Sequence, residues 1–501
     1  MEPVKRIVIN TIAQYFRSII NMILSLYSTR LILGALGMSD FGIYSIIGGV
    51  VTMLGFITNS LVVTTQRYIS FHHGRGDMDA VKKIFFNSLF IHISFSIVIS
   101  LVLFLIKDFV IYSWINIPEE RLAAAENVYY FSIIVLIITI LIAPYKAIFI
   151  ARENIIYISV VEVLDGCLKL ILAFYITFSV YDRLTLYAIM IALIQFCNLV
   201  AYVCYSIKNF DECSITVFKK NYIDRDSIYN LLGFASWTTY GAGVIVLRNQ
   251  GIAILLNNFF GTVINAAYGI ASQIQVALSF VSTSILNAMN PQIMKAEGAG
   301  DRRRMFSLAM HESKYSSALM MIIAIPVIIE MHSILIFWLK DVPKGTEMFC
   351  KFMLLSFIVD QLTYGLNTAN QALGKIRTYS LFMYTPKLVI LPLALLSLSL
   401  WRDAECVMLI YFFIELVVSI FRIFYMKHIV EFSMLEFIKK AICPLFPLLC
   451  ILLLVGNVCV FFVSFPNRFI FTLLISFFIG GIVFWCFTMT SSERLYFRNF
   501  L

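Results

Sequence analysis

Charged residues, prolines and glycines cut this chain into a succession of apolar stretches near 20 residues long, and that spacing limits what it can become. About 20 residues of helix cross a hydrocarbon layer roughly 30 Å thick, whereas a membrane barrel would show alternating segments of about ten. The windows 7–33, 40–66, 83–106, 123–146, 155–179, 184–207, 228–257, 262–290, 306–336, 348–370, 378–400, 405–426, 440–464 and 468–489 predict an all-α polytopic membrane protein with about fourteen transmembrane helices. Composition agrees: 60% of the residues are hydrophobic and 13% charged, against about 25% charged in soluble domains. No connection is long enough to fold as an ATPase, so nucleotide hydrolysis within the chain is excluded.

Lys and Arg number 38 against 29 Asp and Glu, a net charge of +9. Most of the cations outside the spans fall in the terminal segments and even-numbered connections, which predicts that both termini are cytoplasmic. No basic tract with interleaved aromatics is present, so nucleic acid is not an expected partner. The run after Lys5 and Arg6 is too long for a signal peptide and is expected to be a retained first span. The ten Cys include no CxxC pair and read as small core hydrophobes, and the six His show no metal-ligand spacing. Neither a phosphate-binding loop nor a nucleophile with an adjacent base occurs, so no cofactor, metal or enzymatic activity is expected.

The chain resembles itself at a fixed offset. Gly42–Phe56 aligns with Ala266–Phe280, matching Tyr44 to Tyr268, Leu54 to Leu278 and Phe56 to Phe280. At the same offset of 224, the tetrad Gly74–Asp77 (GRGD) falls on Gly298–Asp301 (GAGD), and at 222 Tyr157 falls on Tyr379. Six spans per copy is an even number, so the copies share one orientation about an axis along the membrane normal. The expected domains are an N-lobe over 1–225, a C-lobe over 226–430 and a helix pair over 431–501.

Charge inside a lipid-spanning helix costs at least about 2.5–3.5 kcal/mol and normally faces protein or water. Seven cations fall inside the predicted spans: Arg17, Arg30, Lys169, Arg248, Lys314, Lys387 and Arg422. In the first span Gln14, Arg17, Asn21, Ser25 and Ser28 recur at steps of three and four, one polar stripe along the helix. The second has Ser45, Thr52, Asn59 and Gln66 seven apart; the seventh has Arg248, Asn249 and Gln250; the eighth has Asn265, Tyr268, Ser272, Gln275, Ser279 and Ser282. Hydrogen bonding between helices accounts for the hydroxyls and amides as well as a wet cavity does. It does not account for Arg17 and Arg248, which are expected to need an anion or an aqueous path. A cavity is therefore expected to include Arg17, Asn21, Arg30, Asn59, Arg248, Gln250, Tyr268, Ser272 and Gln275.

In the fifth span Glu162, Asp165 and Lys169 stand at i, i+3 and i+7, and Asp165 with Lys169 could pair within the helix. At the offset of 222 Asp165 falls on Lys387, so a bridge between the lobes that opens and closes is the other reading. With Glu162 and Asp360 these residues are the candidates for gating or for coupling to H⁺ or Na⁺. Structural pairing is the alternative for Asp360, for Glu415 with Arg422, and for Glu330.

The repeat, the helix number and the loop QRYISFHHGRGD after the second span, echoed by NPQIMKAEGAGD after the eighth, resemble the multidrug/oligosaccharidyl-lipid/polysaccharide exporter (MOP) superfamily. Within it the chain is similar to the polysaccharide transporter branch, the Wzx-type flippases of O-antigen and capsule repeat units. The resemblance implies two six-helix bundles, alternating access, the bacterial inner membrane, and an undecaprenyl-diphosphate-linked oligosaccharide as cargo, with a polysaccharide polymerase as a possible partner and a monomer as the working unit. Lipid II flippases of that superfamily use cavity arginines, and Arg17 and Arg248 occupy comparable places in the first helix of each lobe. Guanidinium groups suit a diphosphate, and hydroxyls and amides suit a sugar. Export of cationic drugs is the alternative; it calls for an acidic pocket, and the first span carries Arg17 and no acid.

Overall fold

The computed structural model describes residues 3–52, 55–114, 117–213, 222–260, 262–339, 342–430, 432–462, 467–491 and 493–494. All regular elements among them are helical. They gather into two compact units, one over Val8–Thr239 and the other over Tyr240–Leu501 with Met1–Ile7. In chain order the helices are α1 (Pro3–Thr52), α2 (Gly55–Gly74), α3 (Met78–Leu105), α4 (Leu122–Ala151), α5 (Ile155–Thr177), α6 (Arg183–Asn209), α7 (Arg225–Phe260), α8 (Thr262–Gly298), α9 (Arg302–Ile329) and α10 (Met331–Leu339). They continue with α11 (Thr346–Leu362), α12 (Tyr364–Leu373), α13 (Ile376–Met383), α14 (Thr385–Leu388), α15 (Ile390–Trp401), α16 (Ala404–Ile429), α17 (Met434–Phe437), α18 (Phe446–Phe462) and α19 (Arg468–Val483).

By length and apolar content, nine helices among the described residues can cross a membrane, or eleven if each of two bent pairs is one span. α5 is long enough but carries three ionisable residues, Glu162, Asp165 and Lys169. The first two expected spans are joined without a loop, because α1 runs through a break at Gly37 (φ 77°, ψ 170°), a conformation that glycine adopts without steric cost.

In the first unit α4 packs against α2, α3 and α6, and its Tyr129, Ile140, Ile148 and Phe149 are fully buried. The opposite faces are apolar too: Ile97, Leu101, Phe104 and Leu105 of α3 are exposed, as a surface bathed in acyl chains requires. In the second unit α9 is the central helix, packed on α8, α11, α12, α18 and α19. The last two spans pack on α9 in this unit: Arg468 of α19 pairs with Glu330 at 2.9 Å, and a methyl on Gly456 of α18 would strike Ile329. The boundary between the two units falls within α7, at Thr239 and Tyr240.

The internal repeat is visible in the backbone. Gly76 and Gly300, 224 apart, take φ 75° and 79°. Asp77 and Asp301 cap α3 and α9, their carboxylates accepting the N–H of Ala80 and of Arg304 at 3.0 Å each. The loop bonds repeat pairwise, Asp77 N–H to the His72 carbonyl at 3.1 Å and Asp301 N–H to the Ala296 carbonyl at 3.0 Å. The aromatic pair Tyr157–Tyr202 (6.1 Å, 80°) has its counterpart in Tyr379–Tyr425 (5.7 Å, 74°).

Candidate functional site

Each unit contains its own polar cavity. In the first, a cavity of about 510 Å³ is lined by Asn21, Ser25 and Ser28 of α1, Asn59 of α2, Lys146 of α4, and Glu162, Asp165 and Lys169 of α5. The polar stripe of α1 reaches it because steps of three and four keep those side chains on one face. Gly166 of α5 lets α1 approach: a methyl there would lie 2.9 Å from the Asn21 Oδ1. Glu162 receives two cations, Arg17 at 2.7 Å and Lys146 at 2.6 Å. Asp165 pairs with Lys169 at 2.7 Å and accepts the Asn198 amide at 2.7 Å.

In the second unit a cavity of about 230 Å³ is lined by Arg248 and Asn249 of α7, Gln275 of α8, Asp360 of α11, Lys387 of α14, and Tyr411 and Glu415 of α16. The Arg248 guanidinium pairs with Glu415 and lies over the Tyr411 ring, 4.5 Å from its centroid. Lys387 reaches Glu415 at 2.7 Å and Asp360 at 3.8 Å, and Arg422 reaches Asp360 at 2.8 Å.

These distances correct the expectation drawn for the two arginines. Arg17 and Arg248 do not lack counter-ions; each has a carboxylate within its own unit. The partners were out of view in the sequence because they stand 145 and 167 residues away. Nor are the two repeat-equivalent, since the offset of 224 that maps Gly37 onto Gly261 maps Arg17 onto Gly241. Asp165 is paired with Lys169 of its own helix, the first of the two readings, and Lys387 with Glu415 of its own unit.

Of the other residues expected in a cavity, Asn21, Asn59 and Gln275 line one, whereas Tyr268 is packed in the hydrophobic core of the second unit. Ser272 is half-buried and Gln250 exposed, and neither lines a described cavity. The side chain of Arg30 lies outside the described residues. Lys146, Asn198, Tyr411 and Glu415 were not among the expected cavity residues. Lys146 was read as the end of a span because an apolar window stops at the first charge, whereas α4 continues to Ala151.

The two ion networks have the same arithmetic. The first joins Arg17, Lys146 and Lys169 to Glu162 and Asp165. The second joins Arg248, Lys387 and Arg422 to Glu415 and Asp360. Among the described residues each has three cations and two carboxylates and so keeps one positive charge in excess.

No protein-family model matches the chain, and no curated protein matches its sequence. Its fold does match solved structures. A MATE transporter in a bent conformation superposes with a TM-score of 0.74 at 12% identity, covering 88% of this chain and 97% of that one. A Vibrio cholerae MATE transporter gives 0.70 at 16% identity over 85% and 96%. A MOP superfamily transporter from Pyrococcus furiosus, whose binding pocket is described as reversed in polarity and suggestive of a different function, gives 0.69 at 11% over 87% and 97%. The chain therefore has the fold of these MATE transporters.

Proposed function

We propose that this protein is a flippase that moves a lipid-linked, diphosphate-bearing oligosaccharide from the cytoplasmic to the outer leaflet of a bacterial inner membrane by alternating access. The observation that supports this reading is the excess positive charge in both ion networks, set among hydroxyls and amides. A bare diphosphate cannot enter hydrocarbon, and charge-assisted bonds from Lys and Arg replace part of its water. Ser25, Ser28, Asn21, Asn59 and Asn198 offer donors and acceptors of the kind that sugars use. Lys146 and Arg17 share one carboxylate, as do Lys387 and Arg248, so each pair retains charge for an anion. A prenyl chain would stay in lipid, and fourteen spans with both termini in the cytoplasm would suit the direction of transport.

Export of cationic drugs, the reading favoured by the multidrug transporters that share the fold, is opposed by that same excess. The pocket of reversed polarity reported for the Pyrococcus furiosus relative makes an anionic cargo reasonable within this superfamily. In a host whose surface glycan depends on this chain, Lys146→Ala is expected to lower delivery about ten- to hundredfold, the effect of losing one charged hydrogen bond of about 1.5–3 kcal/mol, with expression intact. Lys146→Arg should keep most of the activity. Full delivery by Lys146→Ala together with a gain or loss of drug resistance would overturn the reading in favour of drug export.

A further inference from the structure

Of the seven cations of the expected spans, the six that are described, Arg17, Lys169, Arg248, Lys314, Lys387 and Arg422, all have carboxylate partners, Lys314 through Glu493 at 2.6 Å. One carboxylate stands in the opposite situation. Glu312 of α9 has none of its surface exposed, and no cation among the described residues lies within salt-bridge distance of it. Its Oε1 accepts the Thr368 hydroxyl of α12 at 3.0 Å and, with the Asn290 amide of α8 turned to donate, an N–H at 3.1 Å. Its Oε2 has no hydrogen-bond partner among the described residues.

Most charged groups around α9 are engaged elsewhere, and Arg303 and Arg304 of its first turn are exposed. His311 and Lys314 turn to Glu493, Glu297 of α8 pairs with Arg302, and Lys351 of α11 with Glu347. Asp360 of α11 is bound to Arg422, Arg468 of α19 to Glu330 between α9 and α10, and Lys440, just before α18, to Glu436. Tyr364 of α12, half-buried, lies within electrostatic reach of Glu312 and also of Asp360 and Arg422. An ionised carboxylate sealed in this way costs several kcal/mol, which a bound proton removes. The crossing is too tight for a hydrated ion: a methyl on Gly365 would strike the Ala309 carbonyl oxygen, and the Gly365 N–H donates to Ser313 Oγ at 3.0 Å.

α12 is the second half of a span broken at Thr363, where the axis bends by 46°. Arg422 holds the break, donating to Thr363 Oγ1 at 2.9 Å and to the Asp360 carbonyl at 3.3 Å. Glu312 is thus bonded to the far side of a ready-made joint, which is itself wired to the ion network of the cavity.

We propose that Glu312 is a proton-binding site of the transport cycle, protonated while α12 is seated on α9 and ionised when α12 swings away at Thr363. On opening, the carboxyl O–H breaks, the proton passes to entering water and the carboxylate remains; on closing, a proton is taken back. The proposal rests on the chain being a transporter and not on the identity of its cargo.

The test uses the full-length protein in nanodiscs. At neutral pH the infrared spectrum of the wild type should show a protonated-carboxyl band that Glu312→Gln lacks. Hydrogen exchange in 302–329 and 364–373, corrected for the intrinsic pH dependence, should rise with pH in the wild type and stay flat in Glu312→Gln. Thr368→Val, which keeps the acid and removes its donor, should displace the midpoint of that rise, and it serves as the test if Glu312→Gln does not assemble. An unchanged infrared band, a pH response in Glu312→Gln equal to that of the wild type, or an unmoved midpoint in Thr368→Val would overturn the proposal. None of these readouts needs a substrate, so a wrong assignment of cargo would leave them intact.

Discussion

Glu415 shows how much one side chain can hold in this molecule. Its side chain is 4% exposed and meets both Arg248 and Lys387, so Glu415→Gln leaves two buried cations facing Asp360 alone. Breaking a buried pair typically costs about 3–5 kcal/mol, and a loss of that size is expected in the thermal unfolding of purified protein. Glu162 has the reverse arrangement, two cations on one carboxylate that is partly open to solvent. Arg17→Ala alone should therefore cost little stability, about 1 kcal/mol, while Arg17→Ala with Lys146→Ala should cost more than the sum of the two. Glu493 adds a pH dependence outside the spans. Burial pushes its carboxyl up, but hydrogen bonds from His311 and Lys314 outweigh this and hold it well below the ordinary range. Its contribution is then complete above the usual Glu value of about 4.3 and disappears as pH falls through the lowered one. Proteolytic cleavage near Glu493 should accelerate only in strong acid, and Glu493→Gln should remove that dependence. At this scale the sequence revealed which cations lie in helices, because charge interrupts an apolar run. It concealed their partners, since contact between α1 and α5 or between α7 and α16 leaves no mark in local spacing.

Two kinds of element punctuation govern the helices. The Gly-x-Gly-Asp turns end α2 and α8 and start α3 and α9, with Gly76 and Gly300 in the left-handed region and Asp77 and Asp301 as caps. Gly76→Ala and Gly300→Ala are each expected to cost about 1–2 kcal/mol, and equally, because neither new methyl would meet a neighbour and only backbone strain differs. Unequal losses in paired melting experiments would mean that the two turns are not structural copies. The repeated tetrad is legible in the sequence, whereas the positive φ of its second glycine and the capping role of its aspartate come from the structure. The break at Thr363 was not legible: it lies inside one apolar window, 348–370, and the Arg422 that satisfies it comes from α16. The break between the first two spans is legible in the sequence, and the structure narrows it to a kink at Gly37.

For the molecule as a whole, the repeat was the most informative reading, because two copies of one bundle constrain each other where single windows do not. The lipid-facing surfaces were equally plain from composition. The loop charges predict that both termini are cytoplasmic. Single cysteines near Arg75 and Arg303 should be labelled by an impermeant maleimide only after the membrane is opened, and one near Asp182 should be labelled in intact cells. The opposite pattern would invert the proposed direction of transport. The charge balance of the cavities was half legible: Lys169, Arg248 and Lys387 were recognised, but Lys146 was assigned to a span end and Glu415 was left outside the cavity set. The central claim is that both ion networks keep positive charge for an anionic lipid-linked sugar. Its most direct test is transport by the purified protein in vesicles, comparing a fluorescent polyprenyl-diphosphate sugar with a cationic dye. The account predicts movement of the diphosphate lipid, slowed at least about tenfold by Lys146→Ala, and none of the dye. Movement of the dye alone would contradict it.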